Sequence, residues 1–573
     1  MKLRKLTYIF AALATLGLTT ACSDFLDTPT DTRVELVNTE QLRMLMNSAY
    51  PTGNYAWPLE LMSDNMEDNN APDEDNLRYN LAAYNRGDDE MFRWEQCLSE
   101  TSSDTPSGIW ESFYESNAAA NAVLEKLEQW EEENGSLDAT QKAIRAEALV
   151  LRAYNHFILA QVFCQPYRGS QSENYLGIPY ITKPETKVKP HYERGTLAQT
   201  YQKIEQDLTE GLAGLNNGLY EVPKYHFNSS AANAFAARFY LFTRQYEKAL
   251  YHANQAFGGA EVDPSTYMSQ IWSNLSNLYY ISDMGLFQNG VDKASNFMLY
   301  ATYSTIFRHL ATGSRYGVIR DALYSTIYSS SPAWENFKWK NTNGKGGSFT
   351  MHPAFNGSCT RNGKSDYGNV LCANVQEQFE YTDKVAGIGY CHVTRREFFG
   401  EETLLVRAEA KLFLGDKQGA LKDLDTWEKA RRQSPSAVGY ESEFKDFTIE
   451  NIESYYGGDP GYGICKTINI DQICPESDAT ASLADIMPML QCIQHIRRIE
   501  TLHTGMRWFD IKRFGLEFDR KIGKDGQDHL GIEDPRKAVQ IPAEVVAAGM
   551  QANPALGRGS NEVIPSSAYV RVK

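Results

Sequence analysis

Aromatic side chains are concentrated in one stretch of the chain. Between Tyr267 and Trp339, 15 of 73 residues are aromatic, about 21%, against 12% for the whole sequence. The surrounding region from Gly258 to Phe399 is also rich in Gly, Ser and Asn, which indicates loops rather than helices. Flat aromatic faces pack against the apolar C–H faces of sugar rings, while Asp, Asn and Arg satisfy ligand hydroxyls. This composition predicts a ligand-stacking platform.

The candidate platform residues come from two loop-rich regions. The later region supplies Trp272, Tyr279, Tyr280, Tyr316, Trp334 and Trp339, and the earlier one supplies Trp57, Tyr79, Tyr84 and Trp94. Large aromatic residues also dominate protein cores, so core packing stays the alternative for each ring taken alone.

An acidic run begins at Asp64-Asn65 and continues to Asp75. It offers many oxygens, but it lacks the D-x-[DN]-x-[DN]-G order of an EF-hand loop. A solvated or hydrogen-bonding loop is therefore the preferred interpretation, and no metal site is predicted.

Catalytic signatures are missing from the sequence. It contains no G-x-S-x-G nucleophile elbow and no H-E-x-x-H zinc motif. Gly363-Lys364-Ser365 resembles the end of a phosphate loop, but the first glycine that the motif requires is Ser358 here. His495 and His503 are interpreted as partly exposed helix residues. No carboxylate pair stands out among the 73 acidic residues, so no catalytic residue or cofactor is predicted.

The N-terminus has the parts of a bacterial secretory signal. Lys2, Arg4 and Lys5 precede an apolar stretch that is too short to span a bilayer, and small residues precede Cys22. We expect residues 1–21 to be a cleaved signal peptide and Cys22 to carry acyl chains as a lipid anchor. Cleavage removes three of the 56 basic residues and none of the 73 acidic ones, which changes the formal net charge from −17 to −20. Nucleic acid is not an expected partner of so acidic a chain.

Helical periodicity dominates the rest of the chain. Apolar residues recur every three to four positions between Asp138 and Phe163, and Asp138 with Gln141 forms a predicted capping box. The segment 237–249 aligns without gaps with 408–420. The pattern resembles the tetratricopeptide repeat, in which helix pairs bury their apolar faces by stacking on neighbours.

We therefore predict a mostly α fold, a tetratricopeptide-like helical-repeat scaffold with long loop-rich insertions, in one body spanning 22–573. Predicted helical pairs cover about 105–165, 195–257, 400–432 and 483–515, and the insertions cover about 50–105 and 258–399. Cys164 and Cys492 lie in apolar helical stretches and are predicted to be buried thiols. A disulfide among Cys359, Cys372 and Cys391 stays open as an alternative to free thiols.

Short motifs occur along nearly the whole chain: Cys22-Ser23-Asp24-Phe25-Leu26-Asp27; Trp110, Tyr114, Asn117 and Asn121; Ala146-Glu147-Ala148 with Arg152-Ala153; Gly177-Ile178-Pro179; Arg407-Ala408-Glu409-Ala410; the run from Gly505 to Gly515; Gln540-Ile541-Pro542-Ala543-Glu544; and Asn553-Pro554. Together they resemble the motifs of the SusD/RagB family, the surface nutrient-binding lipoproteins of Bacteroidetes. From the residues themselves, Glu500, Arg507, Asp510 and Arg513 in or beside the run from Gly505 are interpreted as structural, because Arg forks hold carboxylates in bidentate pairs.

The resemblance implies a non-enzymatic protein that is lipid-anchored at the cell surface of the outer membrane. Such a protein binds oligosaccharides and delivers them to a SusC-like TonB-dependent transporter. It also implies that the region after Ser63, including Asp64 and Asn65, contributes to the ligand face. Two alternatives stay open: a RagB-like receptor for peptides, and a surface glycoside hydrolase.

Overall fold

Helices form most of the structure, which confirms the predicted mostly α fold. The computed structural model describes residues 36–69, 71, 85–98, 103–185, 191–271, 281–310, 315–334, 337–340, 346–349, 354–361, 364–372, 374–431, 445–523 and 526–554. The helices are α1 (Thr39–Ser48), α2 (Ala56–Met62), α3 (Arg86–Phe92), α4 (Pro106–Asn134), α5 (Ala139–Phe163), α6 (Leu197–Leu212), α7 (Ser229–Phe242), α8 (Tyr246–Ala256), α9 (Ile281–Gln288), α10 (Ile306–His309), α11 (Arg320–Tyr324), α12 (Gly400–Phe413), α13 (Lys417–Arg431), α14 (Ile449–Tyr456), α15 (Ile470–Ile473), α16 (Leu483–Glu500), α17 (Met506–Arg513) and α18 (Ala543–Ala547).

Helix α5 lies at the centre of the helical body. It begins at the predicted capping box, in which Asp138 accepts from the Gln141 backbone and the Gln141 side chain accepts from the Asp138 backbone. Apart from Arg145, every residue from Ala143 to Phe163 is buried. A helix that is buried all round needs neighbours on every side, and α5 packs against α4, α6 and α7.

Two helix pairs repeat the same local geometry. Helix α7 ends at Phe242 and α8 begins at Tyr246; α12 ends at Phe413 and α13 begins at Lys417, each 171 positions later. The turn residues Arg244 and Gly415 both have left-handed backbones, with φ of 60° and 84°. This confirms the aligned repeat.

Small residues let the repeated pairs approach each other closely. Ala237, Ala249, Ala408 and Ala420 are all fully buried. Helix α8 packs against α12, and the rings of Tyr246 and Phe413 stack at 4.2 Å between centroids. Close helix crossings need small side chains with large ones filling between them, as the alignment predicts.

Antiparallel strands occupy part of the chain that the sequence predicted to be loop-rich. The strands are β1 (Glu67–Asp68), β2 (Asn296–Tyr303), β3 (Tyr316–Gly317), β4 (Phe337–Lys340), β5 (Gly346–Phe349), β6 (Ala354–Arg361), β7 (Lys364–Cys372), β8 (Glu377–Asp383), β9 (Ile388–Phe399), β10 (Phe518–Ile522) and β11 (Gly526–Leu530). They pair as β1-β3, β4-β5, β6-β7 and β10-β11, and as a three-stranded sheet in the order β2-β9-β8. The region 258–399 therefore holds paired strands as well as loops, because its β-branched and aromatic residues suit cross-strand packing.

A network of buried ion pairs joins the helices near the C-terminal motif. Arg497 lies between Glu402, at 3.1 Å, and Asp510, at 3.0 Å, and Arg513 bonds both Glu409 and Asp510. The side chains of these five residues are at most 7% exposed. The expected structural role of the motif is confirmed for Arg513 and Asp510.

No disulfide joins the cysteines in the described part of the chain. Cys164 and Cys492 are buried thiols as predicted, and Cys372 and Cys391 are also free, while the side chain of Cys359 lies outside the described part. Among the described helices, none combines the length and apolar character that crossing a membrane requires.

Candidate functional site

The two predicted insertions meet through a short strand pair. In the β1–β3 ladder, Glu67 lies opposite Gly317 and Asp68 lies opposite Tyr316. The guanidinium of Arg315 donates to both carboxylate oxygens of Asp68, at 3.0 and 2.9 Å. Residues about 250 positions apart therefore join the two insertions at a mostly buried strand pair, after which the chain continues into α11.

Four predicted platform aromatics are buried in the described structure. Trp57, Trp94, Tyr316 and Trp334 are 1%, 6%, 3% and 1% exposed. A ring so enclosed cannot stack against a ligand in this conformation, which corrects the expectation that these four form an exposed platform.

Internal hydrogen bonds explain why three of these rings lie inside. Trp57 donates to Asp88 at 2.8 Å, Trp94 donates to the Met62 carbonyl at 2.8 Å, and Tyr316 donates to Asp89 at 2.6 Å. Buried Trp and Tyr side chains usually find such partners for their polar atoms.

Trp334, the fourth of these buried aromatic residues, lies in the core beside α13 and α16. It donates to the Ser329 carbonyl at 3.0 Å and packs against Trp427, Phe447 and His495. His495 is itself 1% exposed, with Tyr456 and Ser329 hydroxyls at 2.8 and 2.7 Å, so its predicted partial exposure is wrong. His503 is also 1% exposed, so the same prediction is wrong for it.

Asp64 and Asn65 are engaged inside the protein rather than presented to a ligand. Arg507 holds both carboxylate oxygens of Asp64, and Arg498 donates to the Asn65 side-chain oxygen at 2.7 Å. Burial by itself raises the pKa of Asp64, but Arg498 and Arg507 outweigh it and hold that pKa well below its usual range. This corrects the expected ligand role of the two residues.

Several predicted residues fall outside the described part of the chain. These are Cys22, Tyr79, Tyr84, Trp272, Tyr279 and Tyr280. Trp339 lies in β4 opposite Gly347, and its side chain is outside the described part as well.

A stacked pair of tyrosines, one of them exposed, lies at the end of α11. The rings of Tyr324 and Tyr462 are 5.0 Å apart with 28° between their planes, and Tyr462 is 57% exposed. Tyr328 is 6.3 Å from Tyr324 but is itself buried. We call Tyr324 and Tyr462 the tyrosine platform.

Three consecutive left-handed residues present Tyr462 to solvent. Gly461, Tyr462 and Gly463 have φ of 81°, 52° and 65°. For a bulky residue this conformation is a genuine outlier, costing about 1–2 kcal/mol. Backbone strain of this kind persists where the surroundings enforce it, often at ligand sites.

Local hydrogen bonds hold this strained loop. The Gly461 amide donates to Asp459 at 2.9 Å, the Ile464 amide donates to the Gly461 carbonyl at 3.1 Å, and Arg498 reaches the Gly463 carbonyl at 3.5 Å. Because Arg498 also binds Asp64 and Asn65, the buried ion pairs support the exposed ring.

Two carboxylates lie on or against α11, the helix that carries Tyr324. Glu67 accepts from the Ala322 amide in α11 at 3.3 Å, and its Oε2 is buried without a hydrogen bond. Burial raises the pKa of Glu67 to about 7, against the opposing effect of Arg320. Asp321, the second residue of α11, is exposed, so this helix also presents a carboxylate acceptor to solvent.

Sequence reasoning missed Tyr324 and Tyr462. Tyr462 lies outside the aromatic-rich stretch, and Tyr324 lies in it without standing out among fifteen aromatics. The flanking glycines of Gly461-Tyr462-Gly463 are the signal that could have identified it, because glycine favours left-handed turns. Among the described residues, no cluster of three or more His, Cys, Asp or Glu side chains is arranged to hold a metal ion.

Residues 24–241 match a SusD-like family model described as "Starch-binding associating with outer membrane". No curated protein matches the chain. Solved structures with the same fold include a putative sugar binding protein from Bacteroides vulgatus, at 16% identity and a TM-score of 0.56, covering 91% of this chain and 99% of that one.

Two further structures are similar. A SusD superfamily protein from Bacteroides vulgatus has 17% identity and a TM-score of 0.55 over 91% of this chain and 98% of that one. A SusD superfamily protein from Bacteroides thetaiotaomicron has 16% identity and a TM-score of 0.51 over 90% of this chain and all of that one. The chain therefore matches the SusD-like family model over residues 24–241 and shares the fold of these SusD superfamily structures over about nine tenths of its length.

Proposed function

We propose that this protein binds oligosaccharides on its tyrosine platform and delivers them to a SusC-like TonB-dependent transporter. The exposed ring of Tyr462, stacked on the half-buried ring of Tyr324, is the observation that carries the proposal. A sugar ring packs its C–H face on the outer face of Tyr462, and its hydroxyls bond polar groups nearby. The family description, which names starch binding, supports the same ligand class.

Affinity at such a site is modest. One aromatic contact contributes about 0.5–1.5 kcal/mol beyond its buried area, and ordering the ligand offsets part of that gain. Reversible capture suits a protein that passes its ligand on. We also propose five further stacking residues, which are Tyr79, Trp272, Tyr279, Tyr280 and Trp339.

Attachment at the cell surface completes the proposal. Cys22 carries acyl chains that hold the protein at the outer membrane, because several chains anchor stably where one is marginal. The description of the matching family model, which names association with the outer membrane, supports this location.

Binding assays on a soluble form lacking residues 1–22 test the ligand class. We expect a glycan array to give hits and a peptide panel to give none, and we expect no release of reducing ends from polysaccharides. Binding of peptides alone would show a RagB-like receptor instead, and reducing-end release would show a hydrolase.

Substitution of Tyr462 tests the location of the site. Tyr462→Ala is expected to weaken binding of the best glycan about tenfold, since roughly 1.4 kcal/mol corresponds to that factor. Tyr251→Ala is the matched control, because Tyr251 on α8 is 59% exposed and outside the platform. Equal affinities of the two variants would contradict the location.

A further inference from the structure

The β8–β9 hairpin exposes an unusual concentration of apolar side chains. Of fourteen large hydrophobic side chains exposed in the described part, five lie in the twelve positions 379–390. They are Phe379, Tyr381, Val385, Ile388 and Tyr390. Single exposed apolar residues are ordinary, whereas a cluster marks an interaction surface.

Strand β8 is also the outer strand of its sheet. The order is β2-β9-β8, and among the described strands β8 pairs with β9 alone. An edge strand presents a row of backbone N–H and C=O groups that another extended chain can pair with.

Both faces of this edge offer contacts to an added strand. Phe379 and Tyr381 lie on one face, with their rings 4.8 Å apart in an edge-to-face arrangement. Glu380 lies on the opposite face, across from Tyr390. An added strand would therefore meet aromatic rings on one face and a carboxylate with a tyrosine on the other.

The acidic residues of β8 determine which kind of segment can pair with its edge. Its acidic residues are Glu377, Glu380 and Asp383. Antiparallel pairing with a second copy, centred on Glu380, would place that residue against its own equivalent. Like charges directly opposite each other destabilise a strand pair, so in this register a basic segment fits better than a second copy.

We propose that the β8 edge binds an extended segment of a partner protein in which apolar and basic residues alternate. The apolar residues pack on Phe379 and Tyr381, and the basic ones face Glu380, whose side chain is 65% exposed and 2.8 Å from His392. This inference is independent of the tyrosine platform and of the ligand class.

Two synthetic octapeptides test the inference on the soluble protein that lacks residues 1–22. One alternates Val and Lys, and the other alternates Val and Glu. We expect the Val–Lys peptide to bind more tightly and to slow amide hydrogen exchange in residues 377–383. Equal binding of both peptides, or protection confined to other segments, would overturn the proposal.

Charge reversal supplies the matched control. Glu380→Lys is expected to weaken Val–Lys binding up to about fivefold, the range of a cross-strand charge pair. Glu132→Lys makes the same change at an exposed position of α4 and is expected to leave binding unchanged. Equal losses of Val–Lys affinity in the two variants would show that the peptide is attracted by net charge only. Self-association of the protein that Glu380→Lys abolishes would identify a second copy as the occupant. Either result would overturn the proposal.

Discussion

Arg507 holds Asp64 through two parallel hydrogen bonds, 2.7 and 2.9 Å long, across 443 positions of sequence. The pair is almost fully buried, and Arg498 approaches the same carboxylate at 3.6 Å. The pair joins the first insertion to the C-terminal motif, and Arg498 connects it to the loop that carries Tyr462.

Asp64→Asn is expected to lower the free energy of unfolding by about 3–5 kcal/mol, because removing one partner leaves buried cations without their counter-charge. Urea unfolding at pH 7 measures the loss. Glu210→Gln is the control, since Glu210 pairs with Arg145 while both side chains are more than 40% exposed, and such a pair contributes at most about 1 kcal/mol. A loss as small for Asp64→Asn as for the control would contradict the supporting role of this pair.

Backbone strain at Tyr462 predicts that two substitutions of this residue differ in their effect on the free energy of unfolding. Both Tyr462→Ala and Tyr462→Gly remove the ring, but only glycine adopts the left-handed conformation freely. Tyr462→Gly is therefore expected to be about 1 kcal/mol more stable than Tyr462→Ala in thermal or urea unfolding. Equal stabilities would show that the loop relaxes and that no strain is stored there.

Glu60 predicts a pH dependence of stability. Its carboxylate accepts from the Gly505 amide at 3.1 Å and from Asn65 at 3.2 Å. Burial raises the pKa of Glu60 to about 7, from 4.5. The folded state therefore binds more protons than the unfolded state in this window, and the contribution of Glu60 to stability is full below pH 4.5 and is lost as pH rises through 7.

Glu60→Gln is expected to flatten that decline, although not to abolish it, because the pKa of Glu67 is raised to about 7 as well. Urea unfolding of both proteins at half-unit steps from pH 4.5 to 8 measures the two slopes. If the free energy of unfolding fell equally with pH in the wild type and the variant, Glu60 would not be a source of the decline.

The repeat geometry predicts the effect of Gly415→Ala. An added Cβ meets the Thr480 hydroxyl at 3.5 Å, an ordinary contact, so the left-handed backbone is the main source of the effect. We expect a loss of about 1 kcal/mol in the free energy of unfolding, measured by urea titration. A negligible loss would indicate that the turn between α12 and α13 adjusts.

Local patterns predicted the helices well, because they depend on residues close in sequence. The capping box at Asp138 and Gln141, the periodic helix to Phe163 and the equivalence of the two repeats are present as expected. The Arg forks also behave as predicted: Arg513 binds Glu409 and Asp510.

Exposure of aromatic rings could not be predicted in the same way. Trp57 is stacked on His309, 252 positions away, and Trp94 lies under the guanidinium of Arg520, more than 400 positions away. Composition located the aromatic-rich stretch but gave no sign of which rings these distant partners would cover. Tyr462 became a candidate only when the fold placed it beside Tyr324.

The sequence by itself determined the helical scaffold, the paired repeats and the family resemblance, since periodicity, capping and short motifs are properties of neighbouring residues. The tertiary structure alone decided which polar and aromatic side chains became buried support and which reached solvent. The physical reason is that burial and ion pairing depend on contacts between segments hundreds of positions apart, as between Asp64 and Arg507.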